Sequence, residues 1–144
     1  MLALCLSISS ELYAIPARSV VEVVPQVVLR TLPGAPSYVA GLLSYRGALI
    51  SVVDLSRRLI DVAARNCLST RIVVVERASG AQPPRFGLLT ERVADIRKLH
   101  GELAPTGAGT TGYVSGTVLD KGVAVQVLNV EAVLPPRLLA EERV

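Results

Sequence analysis

A chain of 144 residues with 51% hydrophobic and 19% charged residues has the apolar material for one globular domain, or for two small subdomains sharing a core, and is too apolar to be a disordered tail. Aromatic residues make up only 3%, with no Trp, so the core is built from Val, Leu, Ile and Ala, and the abundance of Val favours strands. The net charge of +3 rests on 13 Arg and 2 Lys, but the arginines are spread through nearly every segment and the rings are too few for a base-stacking platform, which leaves a nucleic-acid-binding basic β-barrel as the weaker alternative.

In chain order, Leu2–Ile8 and Glu11–Ile15 read as a hairpin across Ser9-Ser10. Pro16 suits the first position of a short helix, and Val20, Val21 and Val24 form an apolar stripe along Ala17–Val24 that predicts one. Val27–Leu32 is extended, and Leu32-Pro33-Gly34-Ala35-Pro36 is a rigid turn. Two apolar runs, Tyr38–Tyr45 and Ala48–Val53, then flank Arg46-Gly47. Gly47 takes φ > 0 without a Cβ clash, so the chain reverses there and pairs the runs. Alternation puts Leu42, Ser44 and Arg46 on one face and Leu43 and Tyr45 on the other. Asp54 closes the second run as a lone carboxylate, and Ser56 is placed to cap a short turn over Arg57–Asp61.

Further on, Arg71–Arg77 carries four consecutive β-branched residues, the pattern of a strand buried on both faces. Ser79–Pro84 is a loop, and Arg85–Thr90 returns as a strand with Gly87 marking a bulge or close approach. Val93–Leu99 is an edge strand or a helical turn. Gly101–Gly112, with four glycines, is the most mobile stretch. Tyr113–Leu119 and Val123–Leu128 make a last hairpin around Asp120-Lys121-Gly122, Asn129 caps a helix Val130–Leu134, and the tail 137–144 frays. About nine short strands with turn residues between them define an all-β chain with short helices, a sandwich or paired barrels.

Catalytic signals are missing. The one histidine, His100, has no flanking acid or thiol, and Cys5 and Cys67 are far apart and read as free thiols. Four scattered aspartates offer no metal set, and no glycine-rich phosphate loop precedes a helix. Catalytic residues, metal and cofactor are therefore all expected to be none. No apolar run approaches the ~18 residues of a membrane span, and the start, MLALCLSISSELY, lacks a basic leading region, so membrane insertion and export are not expected and the location reads as cytoplasmic.

The run V-x-G-x-x-x-x-R-G-x-x-x-x-V-V-D-L over Val39–Leu55, preceded by Ser19–Val24 and the Pro-rich turn, resembles the CheW-like domain, the family of small proteins that couple chemoreceptors to a histidine kinase. The resemblance covers nearly the whole chain, 1–144. It implies two packed five-stranded SH3-like barrels and a non-enzymatic adaptor whose partners are the cytoplasmic hairpin tip of a methyl-accepting receptor and the regulatory domain of a CheA-type kinase. It also implies recruitment to membrane receptor arrays. Carried over by position, the receptor groove comprises Val20, Ile72 and Ile96, the partner interface Glu22, Gly41 and Arg46, and the structural positions Gly47 and Asp54. Ser51 stands where the family usually has Pro, and Ser44-Tyr45 where Asn-Leu is common, both near the implied contact surface. In these respects the chain is similar to divergent accessory coupling proteins, such as those of surface-sensing (Wsp-type) systems.

Overall fold

A computed structural model of the chain describes residues 1–78, 83–105 and 112–135. Among these residues eleven strands form two sheets. The first is ordered β8-β1-β2-β11-β10-β9 and the second β3-β6-β7-β5-β4. The strands are β1 (Leu2–Ile8), β2 (Glu11–Pro16), β3 (Val20–Pro25), β4 (Val39–Tyr45), β5 (Ala48–Asp54), β6 (Arg71–Glu76), β7 (Arg85–Thr90), β8 (Arg92–Lys98), β9 (Leu103–Ala104), β10 (Val114–Asp120) and β11 (Val123–Leu128), with short helices α1 (Leu55–Ile60) and α2 (Val130–Val133).

Each sheet closes on itself. In the first, the terminal strands β8 and β9 are consecutive in the chain, so they act as two arms of one bent strand and complete a five-stranded ring. In the second, paired bonds from Arg30 N–H to the Leu42 carbonyl (2.9 Å) and from Leu42 N–H to the Arg30 carbonyl (2.8 Å) tie the chain after β3 to the far strand, β4. Closure removes the free edges that would otherwise template aggregation.

Side-chain alternation divides the apolar residues into three cores. Ala3, Cys5, Ala14, Val118, Val125 and Val127 fill the first barrel; Leu43, Tyr45, Ile50, Val52, Ile72 and Val74 fill the second. The opposite faces of the same strands meet between the barrels, where Leu4, Leu6 and Ile15 from one pack with Val53, Val73, Phe86 and Leu88 from the other. Strands such as β6, buried on both sides, read as unbroken apolar runs for this reason.

Two expectations are corrected, one concerning residues 17–24 and one the cap of α1. Residues 17–24 are not one helix: a 3-10 turn spans Ala17–Ser19 and Val20–Pro25 is strand, because the valines gain more by pairing with β6 than an isolated two-turn helix could return. The segment Val27–Leu32, read as extended, joins the sheet through one bridge, at Arg30. Helix α1 is capped by Asp54, not Ser56: its carboxylate accepts from Arg57 N–H (3.1 Å) and again from Ala64 N–H (3.0 Å), fastening the following loop. Within the stretch read as mobile, Leu103–Ala104 forms β9; residues 106–111, most of the 79–84 loop and the tail 137–144 lie outside the described residues.

Candidate protein-interaction site

The β4–β5 hairpin turns through Arg46 and Gly47, both at positive φ (49° and 82°), the conformation of a two-residue turn matched to strand twist. The turn breaks the strand alternation at Arg46. Its Nη2 donates to Glu22 Oε1 (2.9 Å), and the Tyr45 hydroxyl donates to the same oxygen (2.6 Å). The guanidinium lies 5.1 Å from the Tyr45 ring centroid, and Arg85, paired with Glu76 at 3.2 Å, stands 5.9 Å from it. A carboxylate from β3 is thus held over the open end of the second barrel by two donors, one at the end of β4 and one in the turn that follows it. With side-chain exposures of 61% for Arg46 and 41% for Glu22, the ion pair is worth about 1 kcal/mol or less; it displays two charged groups more than it holds the fold.

The Glu22 hydrogen bond, and next burial, hold the Tyr45 hydroxyl above its ordinary value of 10.0. A pKa raised in the folded state means that this contribution is complete below pH 10 and lost as pH climbs through the raised value. Ring-carbon NMR is expected to show Tyr45 titrating above pH 10 and Glu22→Ala bringing it back towards 10; an unmoved titration would show that Glu22 does not hold the proton.

The inherited groove positions separate. Val20 is half-buried against the shared core, and Ile96 is 54% exposed on β8. Ile96 pairs directly with Leu4, and Leu2 with Lys98, so Leu2, Leu4, Ile96 and Lys98 share the face of the first barrel that looks towards the second. On the other barrel Val23 pairs with Val73 and Val20 with Val75, both core residues of the seam. The result is an apolar strip flanked by exposed Leu2 (56%) and Ile96 on one barrel and by Val20 and Val23 (36%) on the other. Sequence reasoning missed Leu2 and Val23; their odd–even register relative to Leu4 and Val20 becomes informative only once the pairing partners are known. Ile72 does not join them. It is 0% exposed and points into the second barrel, because Val73 and Val75, not Ile72 and Val74, face the seam.

Gly41 is buried and offers no side chain; a Cβ there would stand 2.5 Å from the Arg30 carbonyl oxygen. Of the departures from the family pattern, Ser51 and Tyr45 are buried and only Ser44 reaches the surface, so Ser51 cannot touch a partner directly. Its hydroxyl is buried without a hydrogen-bond partner. Cys5 is buried and Cys67 exposed, both free. Among the described residues no three His, Cys, Asp or Glu side chains converge as metal ligands, no helix is long and apolar enough to cross a membrane, and His100 is engaged only through its backbone N–H, to Asp120 (3.0 Å). Among the described residues, Arg46, Arg57, Arg65, Arg77, Arg85 and Arg97 are each paired with an acid and are not gathered into a basic stripe.

The chain thus forms twin closed barrels around a common core, with an aliphatic strip along their seam and an exposed Glu–Arg pair at one mouth. Residues 2–136 match the model of the CheW-like domain, and the chain belongs to that family. It is 29% identical over 117 residues to the chemotaxis protein CheW of Rhizobium meliloti (strain 1021), covering 78% of this chain and 70% of the relative. Its fold is that of the scaffolding protein TtCheW from Thermoanaerobacter tengcongensis, with a TM-score of 0.83 at 22% identity, over 96% of this chain and 91% of the other.

Proposed function

We propose that the chain is a non-enzymatic adaptor that couples methyl-accepting chemoreceptors to a CheA-type histidine kinase in chemotaxis-like signalling. The observation that carries this reading is the exposed aliphatic strip on the seam-facing surfaces of both barrels, which suits a helical hairpin laid along it with aliphatic anchors supplying most of the affinity. The receptor's hairpin tip takes the strip bounded by Val20, Val23, Leu2 and Ile96. Glu22 and Arg46, exposed at the barrel mouth, serve the polar part of a partner interface, and the kinase's regulatory domain, of like architecture, docks on a barrel surface. Such a protein works in the cytoplasm and is drawn to receptor arrays through its partners. The service it performs is accessory, in the manner of surface-sensing systems, a reading supported by the exposed departure at Ser44.

Pull-down and titration with a receptor cytoplasmic hairpin and the kinase regulatory domain test the reading; binding to neither at roughly tens of micromolar would end it. Arg46→Ala is expected to weaken partner binding about ten-fold while moving the melting temperature by no more than about 4 °C, since the exposed pair holds little stability. A large fall in melting temperature would instead make Arg46 a structural residue.

A further inference from the structure

The two barrels are built on one plan. Tyr38-Val39-x-Gly41, Arg46-Gly47 and Asp54 recur at the same spacing as Tyr113-Val114-x-Gly116, Lys121-Gly122 and Asn129. The turns match in φ, 49° and 82° against 51° and 83°. Each N-cap, Asp54 or Asn129, donates its N–H to the carbonyl of the tyrosine that opens the motif (2.7 and 2.8 Å). A Cβ on Gly41 or on Gly116 would stand 2.5 Å from a carbonyl oxygen of the segment that closes its barrel. The strand orders then correspond, β3-β6-β7-β5-β4 to β8-β1-β2-β11-β10, so β3 is the counterpart of β8 and α1 of α2. In each barrel two strands separate the groove strand, β3 or β8, from the strand that leads into the helix. Because α1 touches α2, the helices stand at one margin of the seam and the groove strands at the other.

The helix margin is fastened by Arg58, whose counterpart on α2 is Val133, so one guanidinium serves both barrels. Half-buried, it stacks on Tyr38 of its own barrel (3.8 Å to the ring centroid) and reaches Tyr113 of the other (4.9 Å). Its Nε donates to the Val133 carbonyl (3.0 Å) and its Nη2 to the Ala132 carbonyl (3.4 Å), both on α2. Arg77 adds a bond to the Pro135 carbonyl (2.6 Å) and an ion pair with Glu131 (3.3 Å), so α2 stays attached without Arg58. The core between the two margins is packed from apolar side chains, whose burial is non-directional. A planar fork on two carbonyls has a direction, and it is this that fixes an angle.

We propose that Arg58 is a positioning residue for the groove. By clasping α2 between matched tyrosines it sets the angle between the barrels, and with it the spacing between Val20 and Val23 on one wall and Ile96 on the other. The proposal rests on the adaptor reading, in which that groove takes the receptor's helical hairpin. Without the clasp the barrels rock about the shared core, and only a fraction of molecules present both walls at the spacing the hairpin needs. The apparent affinity falls by that fraction, although Arg58 itself never meets the hairpin.

The test makes two measurements on the full chain. Spin labels at Leu49→Cys and Leu119→Cys, exposed positions on opposite barrels, in a Cys67→Ser background report the distance between the barrels. Calorimetry reports the affinity for a methyl-accepting receptor's cytoplasmic hairpin. With Arg58 in place one narrow distance is expected. Arg58→Ala is expected to broaden or shift it and to weaken the hairpin about three- to ten-fold. Arg58→Lys, which keeps the charge and loses the fork, is expected to fall between the two. A merely structural Arg58 would lower the melting temperature and leave both readings where they were, and that result overturns the proposal. So does a change in the affinity without one in the distance, or the reverse. Should Arg58→Ala not fold, Arg58→Lys decides by the same two readings. If no hairpin binds even the wild type, the adaptor reading falls, and the distance measurement alone then decides whether Arg58 sets the barrels.

Discussion

Phe86→Ala is expected to lower the melting temperature by roughly 10–20 °C and to unfold both barrels in one transition. Phe86 is the sole phenylalanine of the chain and is fully buried in the core between the barrels, in the company of Leu6 and Ile15 from one and Val73 and Leu88 from the other. Removing a buried ring of this kind costs about 3–5 kcal/mol, because rigid neighbours refill the space only in part. The guanidinium of Arg77 lies 5.2 Å from the ring centroid, so truncation also takes away its aromatic support. The seam has two owners, and a void there should be felt by both. Melts followed by far-ultraviolet circular dichroism and by tyrosine fluorescence should therefore coincide. Two separate transitions, one of them unshifted, would show that each barrel is stable alone and that the shared core is a docking contact.

How much of this could be read from the residues depended on how local the cause was. The β4–β5 hairpin was legible because its determinants lie within a few positions: two apolar runs and a glycine that accepts φ of 82°. The Asn129 cap was legible likewise, its side chain accepting from Ala132 N–H (3.4 Å) at the start of α2. Residues 20–24 were misread because Val20, Val21 and Val24 match a helical stripe, while the decisive partner, β6, begins at Arg71 and leaves no trace nearby. The same distance hid the division of labour within β6. Ile72 and Val73 look alike in sequence, yet one fills a barrel and the other the seam, and only strand register separates them. Closure was hidden too, since it depends on a single bridge at Arg30 and a two-residue strand at Leu103–Ala104. The charged pair was half visible. Glu22 and Arg46 could be named and alternation set Tyr45 beside Leu43, but the bond from the Tyr45 hydroxyl to Glu22 joins strands at opposite ends of the second sheet and leaves no local trace.

Gly41→Ala is expected to destabilise the protein by about 3 kcal/mol or more, against about 1 kcal/mol for Gly47→Ala, although both glycines flank the same hairpin. The difference lies in what a Cβ would meet. At Gly47 it would find nothing within 4 Å and only the strain of a left-handed φ. At Gly41 it would stand 2.5 Å from the Arg30 carbonyl oxygen and 2.9 Å from Leu29 Cβ, at a φ of 151°. The Arg30 oxygen belongs to backbone and accepts the Leu42 N–H that closes the second barrel; it cannot swing aside as a flexible side chain would. Relief requires the chain around Leu29–Arg30 to lift off β4, breaking both closing bonds and opening the barrel at the bulge where Val39 pairs with Val53 and Gly41 with Val52. Chemical denaturation of the two variants measures the ratio directly. The comparison also decides what kind of residue Gly41 is. If Gly41→Ala keeps its stability yet loses partner binding, the position belongs to the interface by direct contact; if stability falls and the remaining folded molecules still bind, its place there is to let Leu29–Arg30 reach β4.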